Sequence, residues 1–135
     1  AGTPPITQAA GLNAAIDWMR GLDWDAVGAH ERKLTERLLN GLAALPGIRI
    51  AGPEGLQNRT SVVSFSHSDI HAHDICEILN DHKVAVRGGH HCAQPLLDAL
   101  DEAALTRVSM GAYASEDDID ALLGGAQADI DKLFD

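Results

Sequence analysis

The residues with the clearest chemical potential lie in one short segment, 87–92 (RGGHHC), which ends at Cys92. Glycine permits backbone conformations with positive φ and lets the backbone approach a ligand closely. Neighbouring imidazoles and the guanidinium of Arg87 favour the thiolate, which is the nucleophilic form of cysteine. The segment therefore predicts that Cys92 is an exposed, mobile and nucleophilic thiol.

The second cysteine, Cys76, lies between Ile75 and Ile78 in an apolar pattern with helical spacing. A free cysteine in such a setting is usually buried and inert. Because the contexts of Cys76 and Cys92 differ so strongly, we expect two free thiols and no disulfide. Free thiols are typical of a reducing cytosol, which favours a cytoplasmic protein.

The histidines raise the alternative of a zinc site. His71 and His73 form an HxH pair, and segment 90–92 adds further nitrogen and sulfur donors of the kind that zinc accepts. The spacing argues against it, because the chain has no CxxC or HExxH motif and adjacent residues of an extended chain point in opposite directions. We expect no metal site, and a small zinc-binding domain stays as a minor alternative.

Arg107 interrupts the apolar segment 105–110 (LTRVSM), which has the composition of a strand. Burying an unpaired guanidinium is costly, and a ligand carboxylate bound through two hydrogen bonds would compensate it. The alternative is a strand position that faces solvent. Taken alone, the pattern slightly favours the solvent-facing alternative.

Hydrophobic periodicity predicts the elements that must position these residues. A capping box with Asp118 in place of the usual Glu or Gln begins the last helix at Ser115. The order of elements favours a single α+β domain over 1–135, with a small, mainly antiparallel sheet covered by helices on one face. The predicted helices are 6–22, 23–45, 71–82, 95–100 and the stretch after 115, and the predicted strands are 48–51, 60–66, 84–86 and 105–110.

Composition excludes several function classes. The formal net charge of the 135-residue chain is −10 and its ten Lys and Arg residues form no basic stripe, which disfavours nucleic acids and anionic membranes as partners. No apolar run approaches the ~20 residues of a spanning helix, and the first residues do not have the pattern of a signal peptide. Segment 1–5 (AGTPP) has the character of an interrupted connection, so we expect further sequence upstream.

Segment 87–95 (RGGHHCAQP) resembles the active-cysteine loop of the group II, SUF-type cysteine desulfurases and selenocysteine lyases, with the pattern R-x-G-H-H-C-A-x-P. These enzymes belong to the class V aminotransferase family of fold-type-I pyridoxal-phosphate enzymes. Segment 106–109 (TRVS), followed by Tyr113, is similar to the strand that carries the family's carboxylate-binding arginine. Segment 1–4 (AGTP) resembles the start of the family's small domain, so the resemblance extends over the whole chain.

This resemblance implies a role for each matching residue. Cys92 would be the nucleophile that attacks the sulfur of the substrate cysteine and becomes a persulfide. Arg107 would bind the substrate α-carboxylate, and Arg87 would order the loop and the substrate end. Thr3 would reach the cofactor phosphate of the neighbouring subunit, because active sites of this family form at a homodimer interface.

The resemblance also implies pyridoxal phosphate as the cofactor, held on a lysine of an upstream large domain. This chain has three lysines, Lys33, Lys83 and Lys132. The dipeptide His82-Lys83 imitates the family's His-Lys pair but lies at the end of a small-domain helix. We therefore expect that the large domain lies outside this chain and that the chain alone is inactive.

The implied function is that of a cysteine desulfurase, which converts L-cysteine to L-alanine and passes the sulfur to an acceptor protein for iron–sulfur cluster assembly. Selenocysteine lyase is the alternative within the same family. A cofactor-free sulfur carrier or interaction module that uses Cys92 is an alternative of a different class.

Overall fold

The structure, a computed structural model, describes residues 2–134, and side chains are described for residues 2–127. Helices and strands alternate in short groups, as the periodicity predicts, and the α+β class is confirmed. In chain order the elements are α1 (Ile6–Arg20), α2 (Trp24–Ala44), β1 (Ile48–Ala51), β2 (Val62–His67), α3 (Ala72–Asp81), β3 (Arg87–Gly89), α4 (Gln94–Leu100), β4 (Leu105–Ser109) and α5 (Glu116–Phe134).

The four strands form one sheet in the order β1-β2-β4-β3, and every pairing is antiparallel. Ser64 of β2 lies opposite Arg107 of β4, and Arg107 lies opposite Arg87 of β3. Directly opposite residues of an antiparallel pair project from the same face. One face of the sheet therefore carries a row of three polar side chains that ends at β3.

The core lies between the other face of the sheet and the helices. Val63 and Phe65 of β2 are fully buried there, and Val108 of β4 is 6% exposed. Because side chains alternate along a strand, burial of Val108 directs its neighbour Arg107 to the opposite face. The helices α2, α3 and α5 supply the remaining apolar surface, mainly through Leu34, Leu38, Leu42, Ile75, Leu79, Ile119 and Leu122.

Polar caps begin two of the helices at the predicted places. The side chain of Asp23 accepts hydrogen bonds from the backbone N–H groups of Asp25 and Ala26, at 3.1 and 3.0 Å, and so begins α2. Before α5, the Asp118 carboxylate accepts from the backbone N–H of Ser115 at 2.8 Å, and the Ser115 hydroxyl accepts from the backbone N–H of Asp118 at 3.3 Å. This reciprocal pair confirms the predicted capping box, and it lowers the pKa of Asp118.

Helix α1 differs from the other long helices because none of its residues is buried. Its apolar side chains face solvent, including Leu12 at 63% and Trp18 at 68% exposure. An unpacked helix of this length is marginal in water. None of the described helices is long and apolar enough to cross a membrane.

The structure corrects one predicted strand, 84–86. Val84 and Val86 are half-buried against the core, and the residues that pair with β4 are Arg87–Gly89. A Cβ atom at Gly88 would lie 2.8 Å from the backbone oxygen of Ala72 in α3, so β3 and α3 approach each other more closely than another residue permits. The apolar segment 84–86 packs against the core, whereas the position of β4 decides which residues pair with it as a strand.

Candidate active site

An open cleft of about 740 Å³ lies where β3 leaves the sheet. Its walls come from the start of α3, from β3 with the turn that follows it, and from the connection that leads into β4. The residues that line it include no carboxylate side chain. Its side chains with chemical potential are those of Cys92, Arg87, His71, His73, His90 and His91.

Cys92 is exposed in this cleft, as the sequence predicts. The guanidinium Nη2 of Arg87 donates to the Cys92 Sγ at 3.5 Å, which places a positive charge against the sulfur. His91 and Cys92 have φ values of 56° and 59°, so two consecutive residues other than glycine are left-handed. That conformation costs ~1–2 kcal/mol per residue, and the surrounding structure must compensate it.

Arg107 projects from the same face of the sheet as Arg87, which lies directly opposite it. Like charges in direct cross-strand pairs are destabilising, so this arrangement favours an anion between or beside the two guanidinium groups. Arg107 is half-buried, and its Nε atom is buried without a hydrogen-bond partner among the described residues. Arg107 lies on the face of the sheet away from the core, so its role as a ligand-binding arginine stays a prediction, which the buried Nε atom favours.

From the sequence, His91 is only a neighbour of Cys92 and one of the donors of the zinc alternative. Both of its ring nitrogens are buried, and neither makes a hydrogen bond of good geometry in the described part of the chain, although the Leu105 backbone lies close to the ring. Its pKa lies below the usual histidine value, first because of burial and then because of the positive charge of Arg107, and the Leu105 backbone partly opposes this. Arg87 and His90 add smaller effects in the same direction. These effects favour the neutral form of His91.

The HxH pair caps α3. The ring Nδ1 of His71 accepts from the backbone N–H of His73 at 3.3 Å, and the two rings meet edge to face with their centroids 4.9 Å apart. Among the residues that the structure describes, no group of three or more His, Cys, Asp or Glu side chains has the arrangement of a metal site. The capping geometry gives His71 a structural task that needs no metal.

Cys76 lies on the other side of β3. A Cβ atom at Gly88 would lie 2.8 Å from the Cys76 Sγ, so the sulfur packs directly against the strand. Burial raises the pKa of the Cys76 thiol, and a hydrogen bond with the Thr106 side chain partly opposes this effect. Cys76 is half-buried rather than fully buried, and both cysteines are free, as predicted.

The remaining residues with an expected role lie away from the cleft. Thr3 is exposed ahead of α1 and is not among the residues that line the cleft. Lys83 lies in the turn after α3 with a φ of 65°, and Lys33 forms an ion pair with Glu116. The side chain of Lys132 lies outside the described side chains. Among the residues with described side chains, no lysine lines the cleft.

A second cleft, of about 460 Å³, lies between α2 and the connection from β1 to β2. Its lining includes Leu39, Ile50 and Leu56 but neither cysteine nor histidine. Arg59 in its wall donates to the backbone oxygens of Ala51 and Pro53, which gives this arginine a structural task. Cys92 and Arg87 thus line the cleft at β3, whereas Arg107, directly opposite Arg87 in the sheet, is not among the residues that line it.

Comparisons with known proteins agree with this arrangement. The sequence model of the family described as "Aminotransferase class-V" matches residues 1–122. A probable cysteine desulfurase of Streptomyces coelicolor is 42% identical over 127 residues, which are 94% of this chain and 30% of that protein. Probable cysteine desulfurase 2 of Mycobacterium leprae is 44% identical over 131 residues, which are 97% of this chain and 31% of that protein. The chain therefore spans less than a third of the length of these curated relatives.

Solved structures have the same fold. The apo cysteine desulfurase of Thermococcus onnurineus superposes with a TM-score of 0.91 at 35% identity, over 98% of this chain and 33% of that chain. The cysteine desulfurase CsdA of Escherichia coli, solved in an S-sulfonic acid form, gives a TM-score of 0.88 at 30% identity, over 97% of this chain and 32% of that chain. The architecture seen here is thus one part of these larger enzymes.

Proposed function

This chain belongs to the class-V aminotransferase family, and on that basis we propose that it is the C-terminal small domain of a group II, SUF-type cysteine desulfurase. Residues 1–135 would form this single domain, with a cofactor-binding large domain upstream. Two observations support the proposal. The chain covers about 30% of a curated relative, and α1 exposes apolar side chains that a larger protein would cover.

The observation that carries the proposal is the pairing of Arg87 and Arg107 beside Cys92. The two guanidinium groups share one face of the sheet, and Arg87 contacts the Cys92 sulfur. An amino acid with a carboxylate and a sulfur atom matches both features. In this assignment Arg107 binds the α-carboxylate of L-cysteine through two hydrogen bonds, and Arg87 orders the turn and the sulfur end.

The proposed step is nucleophilic. The Cys92 thiolate attacks the sulfur of L-cysteine, an S–S bond forms, and the substrate's C–S bond breaks. The bonding electrons leave with the carbon, which takes up a proton and becomes the methyl group of L-alanine. Cys92 then carries the transferred sulfur as a persulfide. The left-handed turn at His91 and Cys92 keeps the sulfur exposed for this attack.

Pyridoxal phosphate is the cofactor that the family implies, and it supplies an electron sink for the carbon when it is bound. The fit with this chain is partial. The buried, unpartnered Nε of Arg107 fits an anionic substrate, whereas the lining of the cleft offers no lysine for covalent attachment. The lysine therefore belongs to the upstream domain of the proposal, with Thr3 contacting the cofactor phosphate across a homodimer interface.

The exposed persulfide would pass its sulfur to an acceptor protein for iron–sulfur cluster assembly in the cytoplasm. Exposure of Cys92 at an open cleft supports access by such a protein. The same exposure, together with a cleft lining that lacks lysine, also fits a second candidate, a cofactor-free sulfur carrier.

The deciding experiment uses the full-length protein that contains this chain. After incubation with L-cysteine, mass spectrometry should find one additional sulfur atom on Cys92, and L-alanine should appear. Cys92→Ser should lose both signals and keep bound pyridoxal phosphate, whereas Cys76→Ser should keep activity. The isolated 135-residue chain mixed with pyridoxal phosphate should form no stoichiometric covalent complex.

The other results separate the alternatives. Sulfur loading of Cys92 from a persulfide donor, without L-alanine formation from L-cysteine, would favour the sulfur carrier. Selenide release from L-selenocysteine with no activity on L-cysteine would favour selenocysteine lyase. A covalent complex of the isolated chain that is lost in Lys83→Ala would place the cofactor lysine in this chain and refute the domain assignment.

A further inference from the structure

His91 carries two buried polar atoms that the proposed reaction leaves unused. Neither Nδ1 nor Nε2 of its ring makes a hydrogen bond of good geometry in the described part of the chain, although the Leu105 backbone is close enough to act on one of them as an acceptor. A buried polar atom without a partner is destabilising, and such atoms are rare in folded proteins. The preceding residue, His90, is the same side chain in the same turn and is exposed. The burial of His91 is therefore specific to its position.

A complementary atom lies on Arg107. Its Nε–H is a donor, is buried and is also unpartnered within the described residues. Among charged groups, Arg107 acts most strongly on His91, ahead of Arg87. Since a neutral imidazole keeps one nitrogen as an acceptor, the two side chains offer the two halves of one hydrogen bond.

The backbone connects this pair to the nucleophile. His91 and Cys92 are adjacent and both left-handed, and the backbone N–H of Ala93 donates to the backbone oxygen of His90 at 2.9 Å. This short turn leaves little freedom between the imidazole ring and the sulfur. Because the turn is short, a movement of the His91 ring also moves the Cys92 Sγ.

We propose that His91 is a positioning residue that joins the carboxylate-binding arginine to the Cys92 turn. When Arg107 binds a carboxylate through its two Nη atoms, its Nε–H is donated to the ring of His91, and the hydrogen bond so formed draws the turn into place. The inference rests on the proposed function and deepens it. Its consequence is that a carboxylate on the incoming molecule aligns the Cys92 sulfur with that molecule.

The test uses the full-length protein and two alkylating reagents that differ by a carboxylate. Iodoacetate carries the carboxylate that Arg107 would bind, whereas iodoacetamide is neutral. The quantity measured is the ratio of their rates at Cys92, followed by mass spectrometry. Damage to the turn changes both rates together and leaves the ratio constant, so the ratio reports carboxylate alignment alone. It needs no catalytic turnover.

The variants distinguish the effect of the His91 ring from the effect of the backbone conformation at that position. Arg107→Gln should lower the ratio by about tenfold, since it removes the charge that attracts the carboxylate. His91→Gly tolerates a positive φ and removes the ring, and we expect a fall of about threefold or more. His91→Asn also tolerates a positive φ and retains an acceptor, so its ratio should lie between those of the wild type and His91→Gly. The matched control His90→Gly should leave the ratio at the wild-type value.

The double variant tests whether His91 acts through Arg107. If His91 acts through Arg107, the combination of His91→Gly with Arg107→Gln should fall no further than Arg107→Gln alone. Additive effects, or equal effects of His90→Gly and His91→Gly, would overturn the inference while leaving the carboxylate site intact. A ratio that does not respond to Arg107→Gln would remove the carboxylate assignment, and the inference with it. Loss of sulfur transfer with these ratios unchanged would count against the proposed function only.

Discussion

Cys76 and Cys92 both lie next to β3, but they differ in exposure and in the groups that surround the sulfur. Cys76 projects from α3 against the strand, where a Cβ at Gly88 would lie 2.8 Å from its sulfur. Cys92 lies in the turn beyond the strand and is exposed. The difference in exposure thus follows from where each thiol lies relative to one short strand.

The electrostatic surroundings of the two thiols differ as well. Cys76 has a raised pKa because burial disfavours the thiolate, and its hydrogen-bond partner is the neutral side chain of Thr106. Cys92 receives a hydrogen bond from the Arg87 guanidinium at 3.5 Å. Burial and charge thus both favour reaction at Cys92 over reaction at Cys76.

The largest expected difference concerns alkylation. A limiting amount of iodoacetamide at neutral pH should label Cys92 about a hundredfold faster than Cys76, because Cys92 is exposed whereas burial both hides Cys76 and raises the pKa of its thiol. Peptide mass spectrometry of the native full-length protein measures both rates. Arg87→Gln should reduce the difference between the two labelling rates, because it slows the labelling of Cys92 alone. Faster labelling of Cys76 in the native fold would reverse the assignment of the two thiols.

Filling the space between Cys76 and β3 should have the next largest effect, a loss of stability. Gly88→Ala places a methyl group within 2.8 Å of both the Ala72 oxygen and the Cys76 sulfur. We expect a loss of about 2 kcal/mol in the free energy of unfolding, which urea denaturation measures.

Gly28→Ala is the matched control for this substitution. Gly28 lies in α2, and no atom outside the helix backbone lies within 4 Å of the position that a Cβ atom would take there. Alanine should therefore stabilise the helix by about 0.5–1 kcal/mol. Equal effects of the two substitutions would show that the contact between Cys76 and β3 is loose.

A smaller effect is expected from removing the two sulfur atoms. Cys76→Ser should lower the free energy of unfolding by about 1 kcal/mol, because a hydroxyl replaces a thiol in a half-buried site. Cys92→Ser at its exposed position should stay within about 0.5 kcal/mol of the wild type. Thermal unfolding of both variants side by side gives the comparison, and a larger loss for Cys92→Ser would contradict it.

The smallest effect is a pH dependence at Cys76. Because its pKa is raised in the folded state, the unfolded chain releases the thiol proton first as the pH rises. The contribution of Cys76 to stability should therefore be constant below about pH 8 and decline towards about pH 10. Urea midpoints of the wild type and Cys76→Ala across this range should converge. A widening difference would mean that the folded state stabilises the thiolate.

Local sequence determined much of this molecule. Hydrophobic periodicity predicted α2, whose buried face carries Leu34, Leu38 and Leu42, and the pair Ser115 and Asp118 predicted the start of α5. These features depend on residues within one or two helical turns of each other, so a short segment of sequence is enough to predict them. The exposure of Cys92 was predictable for the same reason, since its own turn determines it.

Tertiary structure decided what depends on pairing between distant segments. β3 begins at Arg87 rather than Val84 because β4 supplies its partners, and that register places Arg107 opposite Arg87. The burial of His91 also depends on residues outside its turn, as the effects of Arg107 and Leu105 on its pKa show. A register between strands is set by which face of the whole sheet is buried. The sequence by itself therefore predicted the exposed thiol of Cys92, whereas only the folded sheet placed Arg107 opposite Arg87 and buried the ring nitrogens of His91.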